Sequence, residues 1–435
     1  MSKISISYSS PTERMRYGAD ILFRTCLGVE VEWVEHVDLE NEGHHFYTIV
    51  ASTKSIQCPI HSLSFGDDET TRSSGVNWVE WKGFKFPGEV LGMTDLMFDP
   101  LAAAFFCCSR WEEIPSDGER DTVMRDTHGR FRGVSSAAYK EGMLRTPLIE
   151  NLANILAKEL DITPKTSRQD YEYQPTIDID IAYAYQGRSR LHNIAAGSRD
   201  FVLLRWGRVR ERMNVLLNRA HDPYDSYDFF LNLHAHSHLT TKCFMHFADY
   251  KRPYDLGVSK SVLMPLINKL SSQATVNWHP SYHAISHRGQ TFLNEKRTFE
   301  DVGNTSEIRT HFLRGQSSMW TAFQDASIQH DYSMGYADQP GFRAGMSRPF
   351  PAYDIEKDTP LELVIHPFAV MDSTLKSYLK LDCKQSLDLV SELSDAVREV
   401  GGVMVTVWHN TSVSNHGIWE GWQTLYKDVV RRCLP

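Results

Sequence analysis

The chain has 435 residues, 41% hydrophobic and 23% charged, with a formal net charge of −9. These are globular values, and the length exceeds one ordinary core and predicts two domains. The acidic balance excludes a nucleic-acid surface as the main business of the protein and leaves a neutral or weakly charged substrate open.

Taken in order, residues 1–165 read as a smaller α/β domain. Ile4–Tyr8 alternates like a short strand, Glu13–Cys26 has the pattern of an amphipathic helix, and Val29–Trp33 and Phe46–Ala51 are further strands. Lys82–Gly88 is turn-rich. Asp99 is placed as an N-cap with Pro100 at the first helical position, opening an apolar helix that carries Cys107 and Cys108. The seven cysteines form no CxxC pair, which is the usage of a reducing compartment. No stretch approaches the roughly 18–20 apolar residues of a membrane span, and no export signal is evident after Lys3, so a soluble, cytoplasmic protein is expected. A helix over Pro147–Leu160 closes this part, and residues 161–170 read as a polar linker.

Residues 166–435 alternate apolar strands with helical stretches, the pattern of parallel βα units. Strands are predicted near Ile177, at Cys243–Phe247, near Val276, Ile328 and Phe342, at Leu363–Ile365 and at Val403–Val407. Helices are predicted at Trp206–Arg219, Lys260–Leu270 and Ser386–Val400, the last stopped by Gly401 and Gly402. His234, His236 and His238 read as a solvated loop. Trp278, Trp320 and Trp408 read as core before they read as sugar platforms.

Two stretches carry chemistry. In Thr176–Ile181 the isoleucines share one face of a strand, and Thr176, Asp178 and Asp180 share the other. Carboxylates at i and i+2 in a dry setting repel and lose hydration, so they call for a cation, a shared proton or a wet cleft. At the end of a later apolar run, His279 and His283 stand at i and i+4, on one helical face. Two imidazoles and a carboxylate, with one position left for water, is the donor count of a catalytic divalent-metal site. His409 ends a third apolar run.

The ordered series Thr176–Asp180 (TIDID), His279–His283 (HPSYH), Gly341–Gly345 (GFRAG) and Val405–Asn410 (VTVWHN) resembles the motifs of the polysaccharide deacetylase family, also called the NodB-homology or carbohydrate esterase 4 family. The resemblance spans residues 174–435. It implies a distorted (β/α)7-type barrel and a metal-dependent hydrolase that removes acetyl groups, N-acetyl in preference to O-acetyl, from a carbohydrate substrate. By that resemblance Asp180, His279 and His283 hold a divalent metal, zinc in first place, and Asp178 is the general base. His409 protonates the leaving amine, Arg343 orients Asp178, and Asp372 orients His409. Segments 109–113 and 126–131 resemble the N-terminal domain of unknown role that precedes the deacetylase domain in some bacterial proteins.

The sequence departs from the family at three points. Pro280 follows the first histidine where Ser or Thr is usual, Ala344 and Gly345 stand where a proline pair is common, and His287 competes with His283 as third ligand. Two other readings stay open. One is hydrolysis of a small cyclic amide; the other is a glycan-binding or regulatory protein on a barrel that has lost turnover.

Overall fold

The computed structural model describes residues 3–34, 46–52, 54–65, 76–91, 94–114, 123–166, 170–249, 253–315 and 317–435. Of the predicted linker, residues 167–169 lie outside the described residues.

The first part is built on a sheet of β1 (Lys3–Ser7), β2 (Glu30–Val34), β3 (Phe46–Ala51) and β4 (Lys54–Pro59), in the order β2-β1-β3-β4. β1 and β2 are parallel, so the chain must cross over between them. The crossover starts as the predicted helix, Glu13–Ala19, whose first turn is capped by Thr12 accepting from the Met15 N–H. From Asp20 to Thr25 it widens into a π-helix. Lys82–Gly88, expected as a turn-rich passage, belongs to a hairpin of β5 (Trp78–Trp81) and β6 (Phe84–Pro87). Its two turn residues, Lys82 and Gly83, have φ of 52° and 86°, the left-handed pair that matches strand twist. Asp99 caps the helix Pro100–Cys108 through the N–H groups of Leu101 and Ala102. The same carboxylate accepts from Tyr47, His61 and Ser64, which ties the helix to the sheet. Every residue of that helix is buried, Cys107 and Cys108 included, which is why it is apolar all round.

The second part is a mixed α/β unit around a nine-stranded sheet. Its strands are β7 (Glu172–Ile179), β8 (Thr241–Met245), β9 (Ala274–Trp278), β10 (Asn304–Ile308), β11 (His330–Asp331), β12 (Phe350–Asp354), β13 (Thr359–Ile365), β14 (Val370–Met371) and β15 (Val403–His409). They lie in the order β12-β13-β11-β10-β9-β8-β7-β15-β14. All pairs are parallel except β12 with β13. The resemblance implied a barrel; among the described residues no ladder joins the two edges. Single backbone bonds do reach across, from the Phe368 N–H to Met334 (2.9 Å) and from the Gly341 N–H to Ala369 (2.8 Å).

Three local expectations are corrected. Phe342 lies in a turn rather than a strand, and β10 has no apolar pattern to announce it, since Ile308 is its one apolar residue. His234 is no loop residue. It sits in the helix Tyr227–His236, buried, bonded to Thr241 (2.8 Å) and Tyr426 (2.5 Å), and desolvation pulls it down to about 4. Trp278, Trp320 and Trp408 are core.

The two parts share one continuous apolar core that runs from Ile4 to Cys433. At their junction Glu113, buried, receives both Arg343 (2.6 and 2.8 Å) and Arg110 (2.7 and 2.9 Å). Burial alone would raise the Glu113 carboxyl, but the two guanidinium groups outweigh it and hold it at about 2. Among the described residues no helix is long and apolar enough to cross a membrane.

Candidate active site

Each functional side chain stands at the carboxyl end of a parallel strand, where loops from neighbouring strands meet. Asp178 lies on β7 and Asp180 just beyond it, His279 follows β9, His311 follows β10, Asp372 follows β14, and His409 ends β15. Strand order decides which of them meet. β9 and β10 are neighbours on one side of β7, β15 and β14 on the other.

β7 is buried on both faces, so Asp178 needs a cation. It has one in Arg309, fully buried, whose Nη1 lies 2.6 Å from Asp178 and 2.8 Å from Thr176 Oγ1. Arg309 Nε donates to the Tyr332 carbonyl at 3.0 Å, and the guanidinium lies over the Phe244 ring. The Asp178 carboxylate is thereby fixed in one orientation.

Asp180 stands at the mouth of the cleft, its side chain 29% exposed. The Nε2 atoms of His279 (3.1 Å), His311 (3.6 Å) and His409 (3.6 Å) all face it. Each ring is aimed by its other nitrogen. His279 Nδ1 meets the Arg309 carbonyl, His311 Nδ1 lies 3.2 Å from Asp255, and His409 Nδ1 lies 2.8 Å from Asp372. An imidazole held at Nδ1 by a carbonyl or carboxylate and free at Nε2 is the arrangement of a metal ligand.

Asp180, His279 and His311 offer ligand atoms that all lie within 4.8 Å of one another. This donor set, one carboxylate oxygen and two oriented imidazole nitrogens beside open cleft, fits a catalytic divalent ion. His246, Asp255 and His311 are equally close. Asp255 is, however, taken up by the N–H groups of Tyr282 (2.9 Å) and His283 (3.0 Å) and by His246 (3.2 Å). It serves as the orienting carboxylate behind His311.

The electrostatics describe a site loaded with protons. Burial would lower His311, but Asp180 and Asp255 outweigh it and raise the imidazole to about 9. Burial likewise works against charge on His409, and Asp372 with Asp180 lifts it to about 10. Asp180 is held well below the usual carboxylate range, because His311, His409 and His279 overcome its desolvation.

Two residues named from the sequence do not take their expected places. His283 is outside the donor group: its ring lies tilted at 44° against His287, 3.9 Å between centroids, its N–H serves Asp255, and His311 stands where a third ligand would. The reason is local. Ser281 caps the helix Tyr282–His287, and that helix turns the N–H groups of its first turn toward Asp255. Arg343 does not orient Asp178. Its Nε and Nη2 bind Glu113 and its Nη1 binds the Gly335 carbonyl, and Arg309 has the position beside Asp178. His311 and Arg309 left one trace in the sequence, the run Ile308, Arg309, Thr310, His311 after a weakly alternating stretch.

The cleft over these residues measures about 190 Å³. The first part of the chain contributes Arg130 to its lining, and Phe312, Met371 and Tyr378 complete the wall. Arg130 is fixed by Asp126 (2.7 Å), the Phe312 carbonyl (3.2 Å) and the Tyr378 hydroxyl (2.8 Å). Phe312 and Leu313, next to His311, hold left-handed φ of 60° and 54°. The residues before the sheet therefore brace the turn that presents His311.

Fold and site together define an α/β protein with a metal-competent cleft at the carboxyl ends of a parallel sheet. Among known families, a family of unknown function (DUF7033) matches residues 4–163. No curated protein matches. Among solved structures, the chain is similar to a candidate polysaccharide deacetylase from Mycobacterium smegmatis, at 11% identity and a TM-score of 0.39, over 60% of this chain and 83% of that one. It is also similar to a candidate polysaccharide deacetylase involved in O-antigen biosynthesis from Bordetella bronchiseptica, at 15% identity and a TM-score of 0.32, over 60% and 89%. A third likeness, to the 4-alpha-glucanotransferase of Thermococcus litoralis, has 11% identity and a TM-score of 0.33, over 60% and 36%.

Proposed function

We propose that this protein is a metal-dependent hydrolase that removes acetyl groups, N-acetyl in preference to O-acetyl, from a carbohydrate. The observation that carries the reading is the convergence of Asp180, His279 and His311 within 4.8 Å, beside Asp178 and His409 in one cleft. The acetyl-carbohydrate class comes from the motif series TIDID, HPSYH, GFRAG and VTVWHN. We also take the sheet to be an open, distorted form of the (β/α) barrel, and residues 1–165 and 166–435 to be two domains packed on a common core.

In this reading Asp180, His279 and His311 hold a divalent ion, zinc in first place, with His311 replacing His283 in that role. When bound, such an ion polarises a carbonyl and brings the pKa of water to about 7. Asp178, held by Arg309, takes a proton from the attacking water on the oxygen turned away from the guanidinium. His409, fixed at Nδ1 by Asp372, gives its Nε2 proton to the departing amine. Water oxygen bonds to the acetyl carbon, the C–N bond breaks, and acetate and a free amine leave.

Purified protein supplied with zinc or cobalt should release acetate from acetylated amino-sugar oligosaccharides, and Asp178→Asn should abolish the release while keeping the wild-type circular dichroism. Equal release by both proteins across a broad acetylated panel refutes the assignment.

A further inference from the structure

The chain leaves the carboxyl end of β7 and forms a helical hairpin, Arg190–Val202 and Trp206–Leu216, before returning to the sheet. This hairpin is built inside out. The first helix buries only Asn193 and Asp200, the second only Val215. The seam between them is polar: Arg212 binds Asn193 (3.0 Å) and Asp200 (3.1 Å), and its guanidinium lies over the Tyr185 ring.

The apolar residues face outward. Leu191, Ile194, Phe201 and Val202 fall on one side of the first helix, and Trp206, Met213, Leu216 and Leu217 on one side of the second. The apex is most exposed, with Val202 77%, Leu203 52%, Leu204 70% and Trp206 53% accessible. Ten of the seventeen exposed large hydrophobic residues among the described residues lie between 191 and 217. A concentration of that kind marks an interaction surface.

The charge around this apex selects the partner. Residues 188–219 hold eight arginines and two acids in a chain whose net charge is −9. Both acids are engaged within the protein, Asp200 by Arg212 and Glu211 by Tyr185 and His416. Two copies meeting through this face would bring like charges together. An apolar apex with an aromatic residue, flanked in the sequence by Arg199, Arg205, Arg208 and Arg210, has the composition of an element that lies in the interface of an anionic bilayer.

We propose that this hairpin docks the protein peripherally on membranes bearing anionic lipid, with residues 201–206 entering the headgroup boundary. The docking does not depend on the hydrolase reading, since it uses none of the residues of the cleft.

The full chain should sediment with vesicles of phosphatidylcholine containing about one-third phosphatidylglycerol, and much less with phosphatidylcholine alone or in 0.5 M salt. Arg199→Gln/Arg208→Gln/Arg210→Gln should weaken binding on the order of a hundredfold, at about fivefold per arginine. Leu203→Glu/Trp206→Ala should weaken it more than about tenfold, with thermal unfolding unchanged in both variants. The proposal is overturned if the wild type stays in the supernatant with anionic vesicles at low salt, or if both variants sediment as it does. Light scattering that shows wild-type oligomers, dissolved by Leu203→Glu/Trp206→Ala, with no vesicle binding, overturns it in favour of self-association.

Discussion

Replacing His311 by alanine tests the site most directly, because the sequence pointed to His283 and the structure to His311. Zinc held by four protein ligands gains roughly 10–16 kcal/mol, so one ligand is worth about 3 kcal/mol, or on the order of a hundredfold in affinity. His311 raises a second term. Its imidazole, lifted to about 9 by Asp180 and Asp255 against its burial, must lose a proton before it can ligate. At pH 7 that costs roughly 3 kcal/mol, so metal uptake releases about one proton and affinity climbs about tenfold per pH unit up to about pH 9. Zinc titration against a chromophoric chelator at pH 7, 8 and 9 reads both terms. His311→Ala should bind on the order of a hundredfold more weakly at pH 9 and lose most of the pH slope. His283→Ala should keep the wild-type slope and stay within about threefold of wild type, since the backbone N–H that it donates to Asp255 survives the substitution. The reasoning is refuted if His283→Ala loses as much affinity as His311→Ala, or if His311→Ala retains the full slope.

Arg309→Met leaves the Asp178 carboxylate buried without its cation and should cost about 3–5 kcal/mol in urea unfolding, much of it recovered in Arg309→Met/Asp178→Asn. Glu113→Gln should destabilise by a similar amount, about 3–5 kcal/mol, since Arg110 and Arg343 lose their shared carboxylate. In the wild type the Glu113 contribution is complete above pH 4.5 and lost as pH falls through 2, which acid unfolding would follow. His409 has the opposite sign: with its folded value at about 10 and an ordinary value of 6.5, the metal-free protein should hold that stability below pH 6.5 and lose it as pH rises through 10. Denaturation midpoints across that range should decline, and less steeply in His409→Gln. Gly341 has φ of 139°, and a Cβ there would sit 2.4 Å from the Leu144 carbonyl oxygen. Gly341→Ala should therefore lower stability by about 2 kcal/mol or more, read by thermal unfolding.

What the sequence determined by itself was local. Alternation in Ile177–Ile181 marked the strand that bears Asp178 and ends just before Asp180, Asp99 and Pro100 marked a helix start, and the apolar run before His409 ended where β15 ends. These follow from the periods of strand and helix and from backbone capping, which depend on residues a few positions apart. Tertiary structure decided the partners. Asp178 lies 131 positions from Arg309, and Glu113 lies 230 from Arg343. β10 has one apolar residue, Ile308, so nothing in its pattern announced that it would run beside β9 and set His311 next to His279. Which strand lies beside which is fixed by burial of whole faces across the sheet, and a loop residue acquires its neighbours only when that order is set.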